Sequence, residues 1–328
     1  MNRLDGRIAI ASAGVLYGMV TVGGTFLVKR GLSAFDISVF FLLFSLIPAV
    51  PILLLRRKGF FSRLIKNWKY LSLYAFLNTF LVVSLFGSLG LGLSPAVAAL
   101  LLYSQPVWTV IFERIFFGER IDLSRIAIIA LALSGVFLLT NPISSAGQFN
   151  VAAGMSNSAL VPAEILALIG SMFLSLWIIL GRVGRLGAFG DPLELTTAVR
   201  SSTLIFVLLA AMLSIPILGR SGFLSNSSVL NAGSFFWLFV FAMVAGLLPD
   251  FLFYAGIDRV KPLQAGVILL LEPVSSAIIS VALSISSLGS VQIGGAALIL
   301  LSNYFASKSA GKVVSNREEK KKRYGRSA

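Results

Sequence analysis

Glu272 is the residue best placed to do chemistry. It lies within residues 262–287 (PLQAGVILLLEPVSSAIISVALSISS), beside Pro273, in a run apolar enough to cross a bilayer. An ionisable group inside such a run costs at least several kcal/mol unless it is paired or hydrated, so it points to a functional site. The same stretch occurs earlier, at residues 95–117 (PAVAALLLYSQPVWTVIFERIFF). A shift of 167 positions brings Pro95 onto Pro262, Gln105 onto Glu272, Pro106 onto Pro273 and Val107 onto Val274. Four-residue steps from Glu272 reach Ser276, Ser280 and Ser284, with Ser275 alongside; the earlier copy has Gln105, Thr109 and Glu113 at matching places. Such steps trace a slowly spiralling ridge on one helix face. Two facing ridges would line a polar cavity, with Pro273 removing one backbone hydrogen bond and freeing the carbonyl of Leu269.

Other side chains join this set by type and depth. Tyr103 and Trp108 flank Gln105, and Asn78 falls midway along an apolar run. Tyr17, Trp177 and Tyr254 are further aromatics for a cavity wall, although interfacial or lipid-facing positions are the default for such residues. Arg200 and Asp250 sit at similar depth with opposite charge. Pairing would offset the cost of both and form a gate; the alternative is that Arg200 snorkels to the interface. Asp250 follows Pro249, which marks a local break in its helix.

The chemistry available is narrow. The chain has no cysteine and no histidine, which removes disulfides, thiol nucleophiles and zinc sites built on these ligands. Carboxylates are then the groups left to carry a coupling proton. No phosphate-binding Gly-Lys-Ser/Thr loop occurs, a serine nucleophile would lack a histidine base, and the glycines at 181, 184, 187 and 190 follow no strand. No enzyme, cofactor or metal is expected.

The elements that must position these residues are helices in lipid. Hydrophobic residues make up 57% and charged residues 12% of the 328, with mean hydropathy +0.93, against about 25% charged in a soluble domain. Ten stretches reach the roughly 20 apolar residues that a span requires: residues 7–29, 34–55, 68–91, 94–117, 123–140, 161–181, 193–218, 233–256, 262–285 and 288–306. With the N-terminus in the cytoplasm, all of the 27 Lys and Arg residues except Lys29, Arg30, Arg200 and Arg220 fall in cytoplasmic loops or the C-terminal tail, as the positive-inside rule requires. Both termini are therefore expected in the cytoplasm.

Residues 141–160, uncharged and rich in Ser, Gly, Ala and Asn, are expected to be an extracytoplasmic linker between halves 1–140 and 161–306. Five spans per half is an odd number, so the second half inserts upside down relative to the first, the inverted-repeat plan of many carriers. The basic segment 307–328, with its Lys320–Arg323 run, is expected to be a mobile cytoplasmic tail near anionic headgroups.

The unit PAVAALLLYSQPVWTVIFERIFFGERIDLSRIAIIALALSGVFLL and its partner from Pro262 resemble the EamA-type transporters of the drug/metabolite transporter superfamily. What carries the resemblance is the "apolar run, Pro-Val, apolar run, Gly-Glu" order in the first half and Glu-Pro-Val in the second. It implies an all-α integral membrane protein of ten helices in two inverted five-helix repeats, with a central cavity for a small metabolite such as an amino acid. Two departures stand out: Ile285 and Ser286 replace the Gly-Glu found at Gly118–Glu119, and Phe40, Phe41 and Phe44 occupy a region where relatives often carry an arginine. The combined expectation is a plasma-membrane secondary carrier, monomeric or homodimeric, whose partners are a small organic metabolite and the bilayer rather than nucleic acid. A non-transporting receptor or assembly subunit on the same fold is the alternative.

Overall fold

A computed structural model describes residues 3–29, 32, 34–57, 59–90, 95–119, 121–140, 160–218, 232–283 and 289–324. Among these the chain is helical throughout, with no strand. The first half holds α1 (Arg3–Lys29), α2 (Ala34–Arg56), a short α3 (Phe60–Lys66), α4 (Trp68–Gly90), α5 (Pro95–Leu102), α6 (Gln105–Phe117) and α7 (Leu123–Thr140). The second holds α8 (Leu160–Leu186), α9 (Pro192–Leu218), α10 (Ala232–Phe241), a π-helical stretch (Ala242–Leu247) and α11 (Leu248–Ile257). It ends with α12 (Pro262–Leu269), α13 (Leu271–Ala282) and α14 (Ser290–Tyr324).

Seven spans among the described residues are long and apolar enough to cross a membrane: Asp5–Gly24, Asp36–Arg56, Leu123–Thr140, Pro162–Leu186, Pro192–Leu213, Gly233–Ile257 and Pro262–Ala282. Ser290–Ala306 is a shorter apolar stretch. The expected spans at 68–91 and 94–117 coincide with α4 and with α5 plus α6, and part of each lies outside the described residues. Large side chains point outward along these helices, such as Ile205, Leu209, Met212 and Leu213 on α9. In water such a surface would be a large apolar patch; in lipid it is the solvated face, and the helix satisfies its own backbone groups. The chain is a multi-pass membrane protein.

Packing between the halves follows one scheme. α1 packs on α11, α12 and α13, while α8 packs on α4, α5 and α6; α2 lies against α9 and α7 against α14. Without a hydrophobic force between helices in lipid, close backbone approach supplies much of the contact. A Cβ added at Gly18 of α1 would fall 2.0 Å from Ser275 Oγ and 2.7 Å from the Ser276 nitrogen on α13. One added at Gly295 of α14 would lie 2.4 Å from the Leu139 nitrogen on α7.

The expected linker at 141–160 lies, except for Leu160, outside the described residues. Through the basic segment α14 continues helically to Tyr324. Its Glu, Lys and Arg residues are good helix formers, and the helix propagates from an apolar segment already in place.

Candidate functional site

Two interrupted helices build the site. α5 ends at Leu102 and α6 begins at Gln105; α12 ends at Leu269 and α13 begins at Leu271. The interruptions fall at equivalent places in the two copies, and the prolines explain both. Pro106 and Pro273 have no N–H for the carbonyls of Leu102 and Leu269, so the helix restarts, with each proline in the first turn of the new segment. A third interruption precedes Pro249, where the expected break takes the form of the π stretch Ala242–Leu247. π turns inside α-helices occur often at functional sites.

A cavity of about 250 Å³ lies where these interruptions meet. Leu102, Tyr103 and Gln105 line it from the first interruption, and Leu269, Leu270 and Glu272 from the second. Tyr17 of α1, Asn78 of α4, Trp177 of α8, Arg200 and Thr203 of α9, and Asp250 of α11 complete its polar and aromatic wall. Aliphatic residues and phenylalanines such as Val20, Leu81, Phe41 and Phe241 form the remainder. Residues from both halves therefore enclose one space.

Of the residues singled out in the sequence, Glu272, Gln105, Tyr103, Asn78, Arg200 and Asp250 line this cavity. Tyr103 is the hydrogen-bond partner of the Glu272 carboxyl group. Gln105 is buried: its Nε2 donates to the Gly266 carbonyl at 2.9 Å, and its Oε1 accepts from the Thr109 hydroxyl at 3.0 Å. A Cβ on Gly266 would lie 2.8 Å from the Gln105 amide, so glycine there lets α6 and α12 meet. Asn78 Nδ2 donates to Thr203 Oγ1 at 3.3 Å.

Arg200 and Asp250 form an ion pair, with Arg200 Nε donating to Asp250 Oδ2 at 2.9 Å. Arg200 Nη1 also donates to Ser45 Oγ at 2.8 Å, and its guanidinium stands 5.2 Å from the centre of the Phe41 ring. The Tyr17 hydroxyl donates to the other carboxylate oxygen of Asp250. A buried ion pair is tolerable only when further hydrogen bonds satisfy both partners, and here Ser45 and Tyr17 do so. Arg200 turns inward to α2 and α11 rather than snorkelling to the interface.

Thr109, Ser276 and Trp108 stand outside the cavity wall. Thr109 turns toward α8, 2.9 Å from Ser175 Oγ, and the backbone nitrogen of Ser276 lies against Gly18 of α1. The reason is geometric: four residues advance a helix by about 400°, so each step along the ridge turns about 40° away from the first residue. Trp108 stacks on Phe112 along α6. Ser284 lies outside the described residues.

Sequence reasoning left Tyr17 and Trp177 at the default and missed Thr203. Tyr17 falls four residues after Ala13 and one before Gly18 on the α1 face that meets the second half, and only that spacing could have marked it. Trp177 is held by a stack on Phe253 at 4.4 Å and by the Tyr74 hydroxyl, which donates to its carbonyl at 2.9 Å. Tyr254 is fully buried behind it, 2.7 Å from the Tyr74 hydroxyl.

Beside this site one end of the molecule carries ionic contacts between the halves. Arg57 meets Asp191 at 3.2 Å, Arg63 meets Glu194, and Lys261 Nζ donates to Glu119 at 2.7 Å. Glu113 accepts the Leu263 N–H at 3.0 Å, capping α12, and pairs with Arg125 at 3.1 Å. The Lys261 hydrogen bond and charge, together with Arg125, hold the Glu119 carboxyl below the usual glutamate range, against the smaller opposing effect of its partial burial. Among the described residues no group of acidic side chains is arranged to hold a metal ion.

The sequence pattern of the EamA-like transporter family matches this chain twice, over residues 5–141 and 161–308. No curated protein matches. Among solved structures, one crystal structure of a protein superposes with a TM-score of 0.73 at 18% sequence identity, covering 94% of this chain and 98% of that one. At that identity the likeness speaks to fold alone.

Proposed function

Since the chain belongs to the EamA-like transporter family, we propose that it is a secondary carrier of small organic metabolites. It works by alternating access between two inverted five-helix halves. The observation that carries this reading is the cavity itself: two interrupted helices, one from each half, meet at a space whose wall includes Glu272 and the Arg200–Asp250 pair. A purely structural bundle gains nothing from matched interruptions or from charge placed at such depth.

The packing scheme supports the inverted-repeat part. Exchanging α1 for α8, α4 for α10–α11, and α5–α6 for α12–α13 maps the main contacts between the halves onto one another, as expected of two repeats related by a pseudo-two-fold axis. Ten spans follow when α5 with α6 and α12 with α13 each count as one crossing. The membrane is proposed to be the plasma membrane, and the charge distribution favours both termini in the cytoplasm. The cross-half ion pairs then lie at the cytoplasmic end, and Arg200–Asp250 serves as a gate element beside the cavity. Glu272 is the group available to bind solute or a coupling proton.

Purified protein in liposomes preloaded with one solute, assayed for counterflow against a panel of labelled amines, amino acids, nucleobases and sugars, tests the reading. Saturable uptake of at least one class, absent from protein-free liposomes, is expected. Folded protein that exchanges none of them would favour a receptor or assembly role on this fold.

A further inference from the structure

We infer that the solute accepted by this cavity is a cation: a small organic ammonium with an apolar body, its charge placed at Glu272. The inference rests on the carrier reading and narrows it. It follows from a count of the charges around the cavity. Asp250 and Arg200 neutralise each other, and the pair is further bound by Tyr17 and Ser45. The remaining guanidinium nitrogen, Nη2, is the one that a Cβ on Gly246 would approach to 3.0 Å, and Phe41 covers the face of the group. Little of Arg200 is left to receive a carboxylate or phosphate.

Helix ends do not alter the balance. The interruptions bring the C-terminal ends of α5 and α12 and the N-terminal ends of α6 and α13 to the same space. Each end carries roughly half a charge, negative at the C-termini and positive at the N-termini, so two of each sign cancel to first order. Among the described residues Glu272 is then the one lining charge without a cationic partner; its partner is the neutral Tyr103 hydroxyl. An ionised carboxylate has acceptor capacity well beyond one hydroxyl. An anionic solute would add like charge to a poorly hydrated site, and a zwitterion would bring a carboxylate with no free cation to meet. A cation completes the set. The apolar wall of Val20, Leu81, Val82 and Phe241 suits an apolar body, and Trp177 offers an aromatic surface to the charged head.

Equilibrium binding of labelled benzyltrimethylammonium, phenylalanine and phenylacetate to the full chain in lipid nanodiscs at about pH 8 tests this, since a carboxylate there is on its ionised side. Wild type, Glu272→Gln and Glu272→Asp would be compared, with melting temperatures to establish folding. The expected result is that benzyltrimethylammonium binds most tightly, and that Glu272→Gln weakens it by about 10- to 100-fold, the worth of a hydrogen-bonded charge. Glu272→Asp should retain part of the binding. Phenylacetate or phenylalanine binding as tightly as the cation would overturn the inference, as would binding of none of the three or unchanged cation binding by folded Glu272→Gln. Should that variant not fold, the order of the three probes on wild type decides. Counterflow of zwitterions without the cation would sink this inference and leave the carrier reading intact. Cation binding with no solute flux of any kind would sink the carrier reading alone.

Discussion

Residue type and depth alone left Arg200 and Asp250 with two arrangements, a pair or a snorkelling arginine. Opposite charges at equal depth in two apolar helices have a strong reason to meet, and they do, at 2.9 Å. The Tyr17 hydroxyl on Asp250 was not legible, because a tyrosine in a helix apolar on all sides carries no signal of the face it presents. The same ambiguity hid the difference between Trp177, which lines the cavity, and Trp108, which does not. Arg200→Ala should cost about 3–5 kcal/mol by leaving a carboxylate buried without its partner. The double replacement Arg200→Leu with Asp250→Leu should cost less than the single one, a non-additivity that thermal denaturation in detergent would expose. A double loss equal to the sum of the two single losses would mean that the pair is not coupled. At the ionic end, Glu119 titrates below its unfolded value, so its contribution is present above the unfolded pKa and fades as pH falls through the folded one. Wild-type melting temperature should therefore drop on acidification below the ordinary glutamate range. Lys261→Ala should flatten part of that drop.

At the scale of elements, the duplicated prolines were the most informative signal in the chain. They fixed where α5 gives way to α6 and α12 to α13, because a missing N–H within a helix has the same consequence wherever it occurs. A full interruption, rather than the kink that one lost hydrogen bond would allow, comes from the tight turns at Tyr103–Ser104 and Leu270, where Ser104 and Leu270 donate to the carbonyls of Leu101 and Val267. The ridge of four-residue steps was legible as a ridge; its turn out of the cavity follows from the advance of about 40° per step. Gly14 and Gly18 mark the close face of α1, and the two differ in a way that sequence could not show. A Cβ at Gly14 meets its nearest atoms at 3.4 Å, an ordinary contact, whereas one at Gly18 collides with the α13 backbone. Gly14→Ala should leave stability unchanged or raise it slightly, through the helix propensity of alanine. Gly18→Ala should lower the melting temperature and weaken solute binding, since α13 carries Glu272. Equal behaviour of the two variants would contradict this packing.

For the whole molecule, composition alone required lipid as the solvent, and the 167-residue offset disclosed the two copies that the family match over 5–141 and 161–308 also divides. Which helix of one half lies on which helix of the other was not legible, because nothing in the sequence names long-range partners. The structure supplies that scheme and, with it, one cavity built by both halves. This cavity is proposed as the path of a solute. Because the chain has no cysteine, one introduced thiol can be modified alone. Thr203 lines the cavity and is buried, while Ser62 is exposed on the surface of α3. Counterflow by Thr203→Cys and Ser62→Cys, each measured before and after alkylation with a small thiol reagent, is the most direct test. Alkylation should abolish exchange in Thr203→Cys and spare it in Ser62→Cys. Exchange that continues with the Thr203→Cys thiol fully modified would contradict the account.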